Sequence, residues 1–191
     1  MTEDRAAMSD QPPAERYALS MRILHWVRAL LILGLIALGW TMTSLADDNA
    51  AKFATLYPMH KEFGVLLFCV ALVQLTIRLR SALPKEPPSL SRWEVLLSKI
   101  VHHAMLTLII VVPLMGYSMS SSFTQSDGVP FFFVELPELL PKNDAAFAVY
   151  QALHKYLAYA LLGLILLHVA GVVKHRFFDR NRDSDVLPRM L

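Results

Sequence analysis

Four long, predominantly apolar runs, at residues 21–45, 60–77, 100–119 and 150–173, decide what this chain can fold into. Each is long enough, as a helix, to cross about 30 Å of hydrocarbon. In lipid a spanning segment must satisfy its own backbone hydrogen bonds, which leaves only helices and closed barrels. Barrel strands alternate apolar and polar residues over short segments. These runs are continuous and rich in Leu, Ile and Val, so a barrel is excluded. A composition of 55% hydrophobic and 18% charged residues over 191 positions would suit one soluble domain, but the apolar residues are bunched rather than periodic. The expected fold class is an all-α membrane protein, a four-helix transmembrane bundle.

The connecting segments carry the orientation. Arg5, Arg16, Arg22, Arg28, Arg78, Arg80, Lys85, Arg92, Lys99, Lys174, Arg176, Arg180, Arg182 and Arg189 fall on one side, fourteen of the eighteen basic residues. The other side has only Lys52, Lys61, Lys142 and Lys155, alongside six acidic residues from Asp47 to Asp144. By the positive-inside rule both termini are cytoplasmic. Topology thus accounts for the basic residues: anionic lipid headgroups are their partner and no nucleic acid is implied. The expected domains are a disordered cytoplasmic tail at 1–16, the bundle at 17–180 and a cytoplasmic C-terminal tail at 181–191. No cleavable signal is visible in the polar first residues, and no internal repeat stands out.

The remaining features are local. The single cysteine, Cys69, excludes disulfides, cysteine zinc sites, iron-sulfur clusters and covalent haem attachment, and is expected to pack as a small hydrophobe. Pro84, Pro87 and Pro88 break the chain between helices two and three, with a short interfacial lead expected at 89–93. The longest outer loop, 120–144, holds Phe131, Phe132 and Phe133 and is expected along the headgroups, with a lid over a cofactor as the alternative.

Four histidines are costly where they sit. His25, His60, His154 and His168 lie within or at the mouths of the apolar runs, where an ionisable side chain marks a task. His25 is near the inner end of helix one and His60 opens helix two at the outer surface. His154 and His168 are fourteen residues apart on helix four, which gives about 21 Å along the axis on nearly one face. Depth therefore pairs His60 with His154 outside and His25 with His168 inside. His102 and His103 rival the inner pair as ligands or as partners of a haem propionate, and His175, between Lys174 and Arg176, reads as a solvated interfacial residue. Two imidazoles on facing helices can clamp a haem and leave iron no open position. Zinc wants three or four ligands in one cluster, which two separated pairs do not offer.

The chain resembles the bacterial cytochrome b561 family of di-haem membrane cytochromes b, related to the cytochrome b subunits of hydrogenases and formate dehydrogenases. The residues that carry the resemblance are R-I-L-H-W at 22–26, M-H at 59–60, R-L-R at 78–80, L-H at 153–154 and 167–168, and V-L-P-R-M at 186–190. The resemblance implies two non-covalent b-type haems ligated by His25, His60, His154 and His168, in a multi-pass protein of the bacterial inner membrane. It implies electron transfer through the membrane, similar to superoxide:ubiquinone oxidoreductases that oxidise superoxide outside and reduce quinone in the bilayer. The alternative it leaves open is a non-catalytic cytochrome b subunit or anchor serving a redox partner protein. No catalytic residue and no quinone site follow from the residues. Lys61 and Lys155, beside the outer histidines, fit either an attraction for an anion such as superoxide or the duller role of neutralising propionates.

Overall fold

The computed structural model describes residues 16–191. The expected tail at 1–16 lies, apart from Arg16, outside the described residues. Four helices account for most of the chain: α1 (Leu19–Ser44), α2 (Tyr57–Arg80), α3 (Arg92–Ser122) and α4 (Asp144–Phe177). All four are long and apolar enough to cross a membrane, so the four-helix membrane bundle is the observed architecture. Leu30, Leu79 and Phe177 are among many large apolar side chains left exposed on the outside of the bundle. Lipid is their solvent, because water would make such a surface untenable.

Helices α3 and α4 begin several residues before their apolar runs because polar caps extend them. Ser91 and Glu94 form a capping box at the start of α3, with the Ser91 amide donating to the Glu94 carboxylate at 2.9 Å. The short lead expected at 89–93 is therefore absorbed into the cap and first turn of α3. At α4 the Asn143 side chain accepts from the amides of Ala145 and Ala146. A π-helical turn at Lys52–Leu56 leads into α2. Cys69 is exposed on α2, on the lipid side rather than packed inside.

The first described residues and the C-terminal segment meet at one end of the bundle, called here the terminal end. The Tyr17 amide donates to the Arg189 carbonyl at 3.1 Å, and the Arg189 guanidinium to the Lys85 carbonyl at 2.6 Å, which ties in the α2–α3 connection. At the opposite end the α3–α4 connection forms an antiparallel hairpin of β1 (Val129–Phe131) and β2 (Val134–Leu136). Val129 pairs with Leu136 and Phe131 with Val134. The aromatic stretch thus turns back on itself at Phe132 and Phe133. Phe132 packs edge-on against Phe63 of α2, whereas Phe133 is fully exposed.

Inside the bundle a heptad spacing repeats on every helix. His25, Ile32 and Gly39 follow one another on α1; His60, Leu67 and Gln74 on α2; His102, Ile109 and Gly116 on α3; His154, Leu161 and His168 on α4. Seven residues keep a side chain on one face of a gently supercoiled helix and advance it about 10 Å. The middle members, Ile32, Leu67, Ile109 and Leu161, are all buried in one apolar cluster. Three layers result. A hairpin-end layer of two histidines and two glycines and a terminal layer of three histidines and a glutamine flank a dry centre.

Candidate functional site

The hairpin-end layer joins α2 to α4 across the interior. His60 and His154 stand with ring centroids 6.0 Å apart and planes at 81°. Their backing explains why neither ring is displaced. A Cβ on Gly39 would lie 3.5 Å from His60 Cε1, and one on Gly116 would lie 3.1 Å from His154 Cε1 and Nδ1. At Gly116 that contact is tight and the His154 imidazole needs the room, whereas at Gly39 it is ordinary van der Waals contact. His154 Nδ1 donates to the Val112 carbonyl at 2.9 Å, which fixes the proton on Nδ1 and leaves Nε2 with its lone pair for a metal. Among the described residues His60 Nδ1 is buried with no hydrogen-bond partner.

In the terminal layer His168 of α4 has two imidazole neighbours. His25 of α1 lies 6.5 Å away and His102 of α3 lies 5.1 Å away, centroid to centroid. His102 also shares a 3.1 Å hydrogen bond with Ser98 on its own helix. His103 points elsewhere, its Nδ1 donating to the Lys99 carbonyl at 2.7 Å. His175, expected to be solvated, is instead half-buried and bonded to Asp179 at 2.7 Å. Trp26 packs edge-on against His25 at 5.3 Å, and its indole donates to the Met190 carbonyl at 2.8 Å. The C-terminal V-L-P-R-M segment therefore braces the residue that braces His25.

The charge around this layer is one-sided. Arg28 lies within electrostatic reach of His25, His168 and Arg78, and Arg78 within reach of His102. Among the described residues neither arginine has an ion-pair partner. Two unneutralised guanidinium groups beside an apolar core suit an anionic ligand group. Lys61 is committed: it pairs with the Asp127 carboxylate and donates to the Gly128 carbonyl at 2.8 Å, holding the hairpin to α2. Lys155 is exposed beside His154.

These features fit paired imidazoles around a large planar metallocofactor. Two imidazoles sharing one metal, at about 2 Å per bond, have ring centroids roughly 6 Å apart. Among the described residues no group of three or more His, Cys, Asp or Glu converges on one point, as a zinc site would need. An apolar groove of about 480 Å³ between α1 and α2 includes Gly34. Gly34 is nine residues from His25, half a turn round α1, so this groove faces lipid and not the histidines.

Gln74 and Gly116 do not emerge from a search for ionisable residues. The signal that finds them is the fourteen-residue step already visible between His154 and His168. Applied to His60 and His102, it lands on Gln74 and Gly116.

Comparison with known proteins agrees in extent with this arrangement. Residues 16–191 match a family model described as prokaryotic cytochrome b561. The chain is also 30% identical over 188 residues to cytochrome b561 homolog 2 of Escherichia coli strain K12, an alignment covering 96% of this chain and 95% of that relative.

Proposed function

Because this chain belongs to the prokaryotic cytochrome b561 family, a family of haem b-binding membrane cytochromes that transfer electrons, we propose that it moves electrons between an outer one-electron donor and quinone in the bilayer. One observation carries the reading: two histidine pairs at 6.0 and 6.5 Å, one at each end of the bundle interior. His60 and His154 would hold one haem b, and His25 and His168 the second. A haem iron supplies a reversible one-electron change when bound. Everything else is the work of the polypeptide. Imidazoles on both sides would leave no open position, so a donor would exchange electrons at the edge of the site. Ile32, Leu67, Ile109 and Leu161 keep water from the space between the layers. Arg28 and Arg78, without ion-pair partners among the described residues, would meet the propionate carboxylates. The separation of His168 from His102, 5.1 Å, is short for two ligands of one iron, and favours His25 as the partner.

The excess of basic residues at the terminal end supports a cytoplasmic location for both termini, which puts the hairpin end outside in the bacterial inner membrane. Superoxide is the candidate donor. Lys155, exposed beside His154, supplies a positive charge there, whereas Lys61 is occupied with the hairpin. Two superoxide ions each give up one electron and leave as dioxygen, and ubiquinone takes the two electrons with two protons from solvent. The test is the isolated protein in ubiquinone-containing liposomes with an external superoxide source. Quinol should form and superoxide dismutase should abolish it. Haem-loaded protein that yields no quinol would overturn this pair of substrates and favour a cytochrome subunit that depends on a partner enzyme.

A further inference from the structure

Two cavities outside the histidine layers join into one channel along the lipid-facing side of α1. The first, about 480 Å³, lies between α1 and α2 and includes Gly34 and Leu38. The second, about 430 Å³, lies at the terminal end, where Leu19, Arg22 and Trp26 meet Met190 and Leu191. They share Val27 and Leu30, so their walls are continuous. Arg22, Trp26, Leu30, Gly34 and Leu38 follow one another at four-residue steps, a single row on the helix surface. From Leu19 to Leu38 the channel runs about 28 Å, nearly the thickness of the hydrocarbon. Gly34 leaves it open at mid-depth, since a Cβ there would meet nothing within 4 Å.

The channel has one polar end. Among the described residues Arg22 is the one charged side chain in its walls, and its Nε is buried with no hydrogen-bond partner. A buried donor without an acceptor is costly, and a ligand that brings an acceptor removes the cost. The same end adjoins the terminal layer, because Trp26 packs edge-on against His25 at 5.3 Å. A long-chain amphiphile with a flat, uncharged head bearing carbonyl oxygens meets all of these features. A phospholipid chain would also fit the apolar walls, but a phosphate calls for a cluster of basic groups and gains nothing from lying beside His25. We propose that this channel is the quinone site: a ring carbonyl accepts from Arg22 Nε, the ring lies against Trp26, and the isoprenoid chain runs past Leu30 and Gly34. The inference rests on the proposed function, in which quinone is reduced from the terminal centre. A quinone held there takes two electrons, one at a time, from that centre and two protons from water at the terminal end, and leaves as quinol. The side of the channel open to lipid is its way in and out.

The experiment uses purified holoprotein, reduced anaerobically and freed of reductant, so the identity of the outer donor does not enter. A photoreactive azidoquinone maps the site without turnover. Its label should fall on residues 19–38 or 190–191 and be displaced by ubiquinone but not by phosphatidylglycerol. Reoxidation of the haem absorbance is then followed with a one-isoprene ubiquinone and with a long-chain ubiquinone. Arg22→Leu should raise the half-maximal concentration of both quinones about tenfold with haem content unchanged. Gly34→Leu, which fills the path of the chain, should raise it for the long-chain quinone alone. The label and Gly34→Leu decide the matter even if Arg22→Leu loses haem. Wild-type protein that quinone reoxidises but that is labelled elsewhere, or variants that both behave as wild type, would overturn the site and leave the proposed function standing. Label displaced by phosphatidylglycerol would make the channel a lipid site and overturn it equally. Wild-type protein with neither label nor reoxidation would remove quinone as the acceptor, and the site with it.

Discussion

At the scale of single residues, the spacing between a glycine and an imidazole sets how the hairpin-end layer works. Gly116 leaves only 3.1 Å between a would-be Cβ and the His154 ring, whereas nothing lies within 4 Å of a Cβ on Gly34. Gly116→Val must therefore push His154 off its Val112 hydrogen bond, while Gly34→Val only thickens a lipid-facing groove. We expect Gly116→Val to weaken haem retention at that layer by about tenfold or more, read as a loss of low-spin absorbance, with Gly34→Val unchanged. Equal retention in both variants would show that the glycine does not govern the ring. The histidines were legible in the sequence because charge in lipid is conspicuous. Gly116 and Gln74 were not, since neither ionises and only their fourteen-residue register marks them.

At the scale of elements, helix existence followed from apolar length, but the ends did not. α3 and α4 start early because Ser91 with Glu94, and Asn143, satisfy first-turn amides beyond the apolar run. The hairpin was hidden for a different reason: its turn places Phe132 at a φ of 53°, with no glycine or asparagine there to announce it. At the terminal end, Lys174 bridges Glu94 of α3 at 2.6 Å and Asp179 at 2.9 Å, so the end of α4 is locked to the start of α3. Hydrogen bonds from His175 and then Lys174 hold the Asp179 carboxyl well below the usual carboxylate range. A depressed carboxyl stabilises the fold above its unfolded value, near 4, and loses that contribution as pH falls below it. Asp179→Asn should thus lower thermal stability at pH 7 by on the order of 1 kcal/mol. The gap to the wild type should narrow below about pH 4. A gap that stayed constant with pH would remove the ion-paired carboxylate as its cause.

At the scale of the whole molecule, three interior layers turn an ordinary membrane bundle into a conduit. The outer two lie about 21 Å apart along the helices, and the middle one is apolar and closed. No residue-type repeat exposes this plan, because each helix fills the same three heptad positions with different chemistry. The family resemblance suggested a ligand set, and the terminal layer keeps His102 close enough to compete with His25 for His168. The central claim is that each layer holds its own haem between two histidines. A pyridine haemochrome assay on purified protein of known chain concentration tests it directly. The account predicts two haems per chain in the wild type, one in His60→Ala or His154→Ala, and one in His25→Ala or His168→Ala. A wild-type value of one, or a His25→Ala protein that keeps two while His102→Ala drops to one, would contradict it.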